Sequence, residues 1–129
     1  MGWISETLDS DADGELRRCL EALLEADGST VETLREVLAT ALAIHADGEK
    51  AHVLMEAVPW LKEEETTRRA FFAAVASMHS SGDQQRVLQA VLTRAKLDVE
   101  TLREVSRSAS QIMSEKERRE VLREVEGRR

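Results

Sequence analysis

The feature that most limits how this chain can fold is a spacing of 34 residues that recurs without insertion. Ala46-Asp47-Gly48-Glu49 is preceded at that interval by Ala12-Asp13-Gly14-Glu15. It is followed by Ser80-Ser81-Gly82-Asp83 and then by Ser114-Glu115-Lys116-Glu117. Each copy leads into an apolar pair: Cys19-Leu20, Val53-Leu54, Val87-Leu88 and Val121-Leu122. The stretches between repeat too, since Val31-Glu32-Thr33-Leu34-Arg35-Glu36-Val37 returns two periods later as Val99-Glu100-Thr101-Leu102-Arg103-Glu104-Val105. A period of this length marks stacked supersecondary units, none of which buries its apolar face alone.

Each period reads as two helices. Val31, Leu34, Val37, Leu38, Ala41, Leu42 and Ile44 alternate spacings of three and four, which places one stripe along a longer helix. Ser29 or Thr30 caps its start, and the pattern runs to about His45. Asp47 then reads as the N-cap of a shorter helix whose apolar face is Val53, Leu54, Ala57 and Val58, ended by Pro59. The third unit repeats this with Phe71, Phe72, Val75, Ala76 and Met78, then Val87, Leu88, Val91 and Leu92. The fourth has Val99, Leu102, Val105, Ala109 and Ile112, then Val121, Leu122 and Val125. Ser80 with Asp83, and Ser114 with Glu117, stand at capping-box spacing. The first unit reads as a truncated long helix over Trp3–Leu8 followed by a helix from about Asp13 to Glu25.

The expected fold is therefore all-α: one domain, a short right-handed α-solenoid of about four antiparallel helix pairs (about 1–26, 27–60, 61–94 and 95–129). The last unit differs as a terminal cap should. The column of Leu38 and Phe72 becomes Ser106, that of Leu42 and Ala76 becomes Ser110, and that of Val58 and Leu92 becomes Glu126. Cys19 shares a column with three valines, so it reads as a small core hydrophobe.

Composition narrows the setting. A net charge of −7 disfavours binding to nucleic acid or to an anionic membrane surface, despite Arg118, Arg119, Arg123, Arg128 and Arg129 near the C-terminus. No apolar run approaches the roughly 20 residues of a membrane span. With one cysteine there is no internal disulfide, and the N-terminal residues lack the pattern of a signal peptide. The expectation is a soluble domain without direct membrane insertion. Cytoplasm is favoured unless the piece is cut from a membrane-anchored parent.

The pattern lacks the Trp-Leu-Gly-Tyr signature of tetratricopeptide repeats. Ile44-x-x-Asp47-Gly48-Glu49-Lys50-Ala51-x-Val53-Leu54, and its weaker copy from Met78 to Leu88, resemble the Ile-x-Ser-Asp-Gly-Asp-Lys-x-x-Val-Leu helical repeats. Such repeats accompany bacterial membrane metallopeptidases of the beta-lactamase-regulator type. The resemblance implies a scaffold, with sensing or interaction as its role. The peptidase's His-Glu-x-x-His does not occur here, so no catalytic residue carries over. The absence of insertions equally fits an engineered repeat protein with no evolved ligand.

His45 and His79 share a column one repeat apart, on the order of 10 Å, too far for one metal ion with ligand bonds of about 2.1 Å. They read as side chains closing the ends of the long helices. His52 reads as a surface residue, and Glu63-Glu64-Glu65 as the acidic opening of a helix. No catalytic constellation, cofactor site or metal site is expected, and a histidine-centred metal or enzyme site is the weakest alternative. The candidate interaction surface is the outer face of the short helices. It comprises Lys50 and Met55, Gln85 and Gln89, Arg119 and Arg123, flanked by Ala51, Gln84 and Arg118, with Trp60 as a second contact or as packing over the turn. Its partner would be a protein or peptide.

Overall fold

The structure, a computed structural model, describes residues 2–27, 30–61, 65–94 and 98–128, with the backbone alone for residues 2–12. Seven α-helices occur among the described residues: α1 Gly2–Asp27, α2 Val31–Ala41, α3 Asp47–Ala57, α4 Glu65–Ala76, α5 Ser81–Arg94, α6 Val99–Ser110 and α7 Glu115–Arg128. A 3₁₀ turn at Val58–Trp60, with Pro59 inside it, leads out of α3. The odd-numbered helices contact one another in series, α1 to α3 to α5 to α7, and the even-numbered ones do the same, α2 to α4 to α6. The result is two rows with one core between them.

The repeat columns supply that core. Val37, Phe71 and Val105 hold one buried column, Ala41, Val75 and Ala109 the next, and Ile44, Met78 and Ile112 a third. Phe71 and Phe72 meet edge to face, ring centres 5.2 Å apart. On the odd row Leu20, Leu54 and Leu88 are buried, while Leu122 is only partly covered at the end of the array. Val58 and Leu92 are buried where Glu126 is exposed. These columns face the following unit, and in α7 no further described helix packs on them.

The long helices end sooner than the periodicity suggests. α2 stops at Ala41, where a tight turn closes with Ala43 N–H donating to Thr40 O and Ile44 N–H to Ala41 O. Met78 and Ile112 repeat the second bond, to Val75 O and Ala109 O. The turn throws Ile44 back into the core but turns Leu42 outward at 44% exposure, and Ala76 is likewise exposed. Val99, expected on the buried stripe of α6, is 64% exposed, because it opens the helix beside its cap rather than over the core. Thr30 caps α2 by accepting from Thr33 N–H, and Asp98 caps α6 by accepting from Thr101 N–H at 2.7 Å.

The largest departure is in the first unit. Instead of a short helix over Trp3–Leu8, a break and a second helix, α1 runs unbroken from Gly2 to Asp27. Among the described helices, α2 and α3 pack against it. Cys19 and Leu23 are consequently exposed, Leu23 by 46%, although their column mates Val53, Val87, Val121 and Ala57, Val91, Val125 are buried. In α7 that buried pair faces only α5 and α6, so these two columns turn back toward a unit's own long helix. Among the described helices, no folded-back long helix precedes α1 to cover that side. Cys19 is therefore an exposed thiol and not a core residue.

Candidate interaction surface

The Asp-Gly motif that sets the period ties each unit to the next. Ala46, not Asp47, holds the cap position of α3, and Asp47 is the first helical residue. Its carboxylate accepts from His79 N–H at 2.8 Å and Ser80 N–H at 2.7 Å, in the equivalent turn one unit on. One unit earlier Asp13 accepts from Ala46 N–H at 3.0 Å, and one unit later Ser81 Oγ accepts from Ser114 N–H at 3.2 Å. Backbone donors with no helical partner are thus satisfied across the stack. Asp47 also stands in the first turn of its own helix, at the positive end of the dipole. Ser80 Oγ accepts from Asp83 N–H, whereas the Ser114 hydroxyl donates to the Glu117 carboxylate and holds that carboxyl below its usual range.

The face of the short helices expected to meet a partner is largely engaged within the stack. Lys50 is 4% exposed, not on the surface, and donates to Ser77 Oγ at 2.9 Å, which in turn donates to Ala74 O. Ala51 and Gln84 are buried as well, and Gln84 Nε2 donates to Val75 O and Met78 O. Arg118, in the same column, donates to Ile112 O. This column meets the groups at the long helices' ends, the task expected of His45 and His79. Both imidazoles are exposed and lie beyond the last helical residue.

Farther out, Gln85 donates to Glu120, and Gln89 Nε2 to Glu124 Oε1 at 2.8 Å, both across the α5–α7 junction. Arg17 bridges Glu21 and Glu49, and His52 Nδ1 lies 2.9 Å from Glu21 Oε1, across α1–α3. Met55 and Trp60 pack partly buried against the core. Of the candidates, Arg119, paired with Glu115, and Arg123 are exposed. A long polar side chain reads as solvent-facing in a sequence, and only the neighbouring unit reveals its partner.

The even row offers a different surface that the sequence reading did not single out. Two adjoining hollows of about 280 and 230 Å³ lie along α4 and α6, sharing Ser108 and Gln111. Phe72, Ala73 and Met78 supply apolar walls, and Arg69, Glu104 and Arg107 the polar ones. Met113 stands at one end, 87% exposed. A larger, open hollow of about 540 Å³ between α2 and α4 is lined by Glu32, Arg35, Glu36, Ala39, Thr66 and Ala70. No group of three or more His, Cys, Asp or Glu side chains that could hold a metal ion occurs among the described residues, and no described helix is long and apolar enough to cross a membrane. Compared with known proteins, the chain matches no family model, no curated protein and no solved structure.

Proposed function

We propose that this chain is a non-catalytic helical-repeat scaffold, a short right-handed α-solenoid, that binds a protein or peptide. The single observation behind this reading is the paired hollow along α4 and α6. Apolar walls with a polar rim suit a short peptide with an apolar anchor residue, the usual division of labour at a recognition site. The Ile44–Leu54 motif, in its likeness to scaffold repeats beside membrane metallopeptidases, supports the same class of role. The odd row's polar side chains serve mainly to hold the units together, and Arg119 and Arg123 remain there as contacts for a partner.

The test uses peptides selected from a displayed library against the folded protein. Ser108→Trp, which fills the hollow, should weaken selected peptides by about tenfold or more, a loss of about 1.4 kcal/mol. Gln89→Ala should leave their affinity unchanged. Equal binding to wild type and Ser108→Trp would rule the groove out. A second reading, a structural spacer with no evolved ligand, is favoured by the internal use of Lys50, Gln85 and Gln89. It predicts that no peptide is selected.

A further inference from the structure

We infer that the occupant of the groove along α4 and α6 is an acidic peptide. Its carboxylate lies between Arg69 and Arg107, and an apolar side chain two residues away lies against Met78 and Met113. The inference rests on the groove being a binding site, as proposed above. The two hollows of the groove differ in chemistry. The larger has Arg69 on its α4 wall and Arg107 on its α6 wall, with Glu104 as the one acid among its lining residues. The smaller is lined by both methionines, and none of its lining residues is a carboxylate.

The repeat shows that this charge is particular to one junction. The hollow between α2 and α4 has two acids in its lining, Glu32 and Glu36, and one cation, Arg35. Arg35, Arg69 and Arg103 stand in one 34-residue column. The glutamates that flank the first and last of them give way beside Arg69 to Thr66 and Ala70. Arg107 stands in the column of Ala39 and Ala73. The sign of the hollow therefore reverses from one junction to the next, on a chain whose net charge is −7. Arg69 pairs with Glu65 at 2.7 Å and Arg107 with Glu104 at 3.3 Å, and the two arginine side chains are 74% and 70% exposed. Exposed pairs within one helix hold weakly, so a carboxylate that reaches both guanidiniums competes with them.

Spacing ties the two points together. From one hollow to the other the lining residues advance by one to two helical turns, about 5–9 Å. Alternate side chains of an extended peptide point the same way about 6.6 Å apart, so an acid and an anchor two positions apart enter both hollows at once. Flexible, polarizable thioethers suit an aromatic anchor.

The probes are synthetic peptides with common Gly-Ser flanks and a core of Glu-Ser-Phe, Gln-Ser-Phe, Lys-Ser-Phe or Glu-Ser-Ser, each also in reverse order, titrated against the full chain. Glu-Ser-Phe in one order should bind about tenfold more tightly than Gln-Ser-Phe or Glu-Ser-Ser, and Lys-Ser-Phe most weakly. Arg107→Gln should abolish the preference for Glu over Gln, whereas Arg103→Gln, outside both hollows, should leave it. Equal binding of the Glu and Gln peptides, lost for both in Ser108→Trp, would keep the groove as a site and overturn the acidic occupant. Tightest binding of Lys-Ser-Phe, or a preference for Glu that survives Arg107→Gln, overturns it too. If no peptide binds, or a dimer of the chain shuts them all out, the inference falls together with the groove reading.

Discussion

The same four residues, Ala-Asp-Gly-Glu, do opposite things in two places. At 46–49 they follow a tight turn and open α3, whereas at 12–15 they lie inside α1 with helix on both sides. The tetrapeptide itself does not separate the two, although the residues flanking it differ, and the packing around them differs as well. α2 is held between α1 and α4, and the chain must reverse after it for α3 to fill its place between α1 and α5. Among the described helices α1 itself is contacted by α2 and α3. Continuing the helix through Gly14 costs only about 1 kcal/mol relative to alanine. In a repeat array, tertiary contact decides where a helix starts, and the motif merely permits it.

That comparison can be broken by mutation. The largest effect belongs to the odd-row core. Leu54→Ala should lower stability by about 2–5 kcal/mol, whereas Leu23→Ala on the open side of α1 should cost under about 1 kcal/mol. Denaturant unfolding measures both, and equal losses would mean that α1 is covered like its counterparts. Next comes the link between units. Asp47→Ala strands two backbone donors and should cost about 1–3 kcal/mol, with Asp13→Ala, which strands one, below it.

A smaller effect separates the glycines. Gly14→Ala places a methyl group in a helix interior, where its nearest neighbour is Arg18 Nη1 at 3.6 Å, and should stabilise by about 0.5–1 kcal/mol. Gly48→Ala, at the second position of α3 with nothing nearby, should gain less, since the first turn makes fewer helical bonds. If the gains are equal, Gly14 also sits at a helix start in solution.

The smallest effect is in acid. Hydrogen bonds from the Thr101 side chain and backbone N–H hold the Asp98 carboxyl below its usual range, with a further contribution from the Arg68 charge. A carboxyl depressed in the folded state stabilises above its unfolded pKa, and that stabilisation disappears as pH falls through the folded value. Melting temperature should therefore drop in the acid limb, and Asp98→Asn should flatten that drop without changing its sign.

Much of the architecture was legible because apolar columns need only spacing to be recognised. Val37, Phe71 and Val105 are buried as their period requires, and Glu126 is exposed where its column mates Val58 and Leu92 are buried. The end columns of the long helices were misleading, since Leu42 and Ala76 lie in or beside the tight turn and face out. The polar residues were hardest to place. Asp47 carries every mark of a local cap, yet its hydrogen-bond partners sit 32 and 33 residues away. Lys50 looked like surface because lysine is rarely buried without a partner, and its partner, Ser77, belongs to the following unit. Whether α1 breaks was not legible at all, because its tetrapeptide is identical to one that follows a turn.

The coupling of units through Asp47 can be measured by amide hydrogen exchange at His79, Ser80 and Ala46 in wild type and in Asp47→Ala. Loss of the carboxylate should speed exchange at His79 and Ser80 by about tenfold or more while Ala46, bonded to Asp13, keeps its protection. Unchanged exchange at His79 and Ser80, or a uniform rise that includes Ala46, would contradict a bond made specifically from one unit to the next.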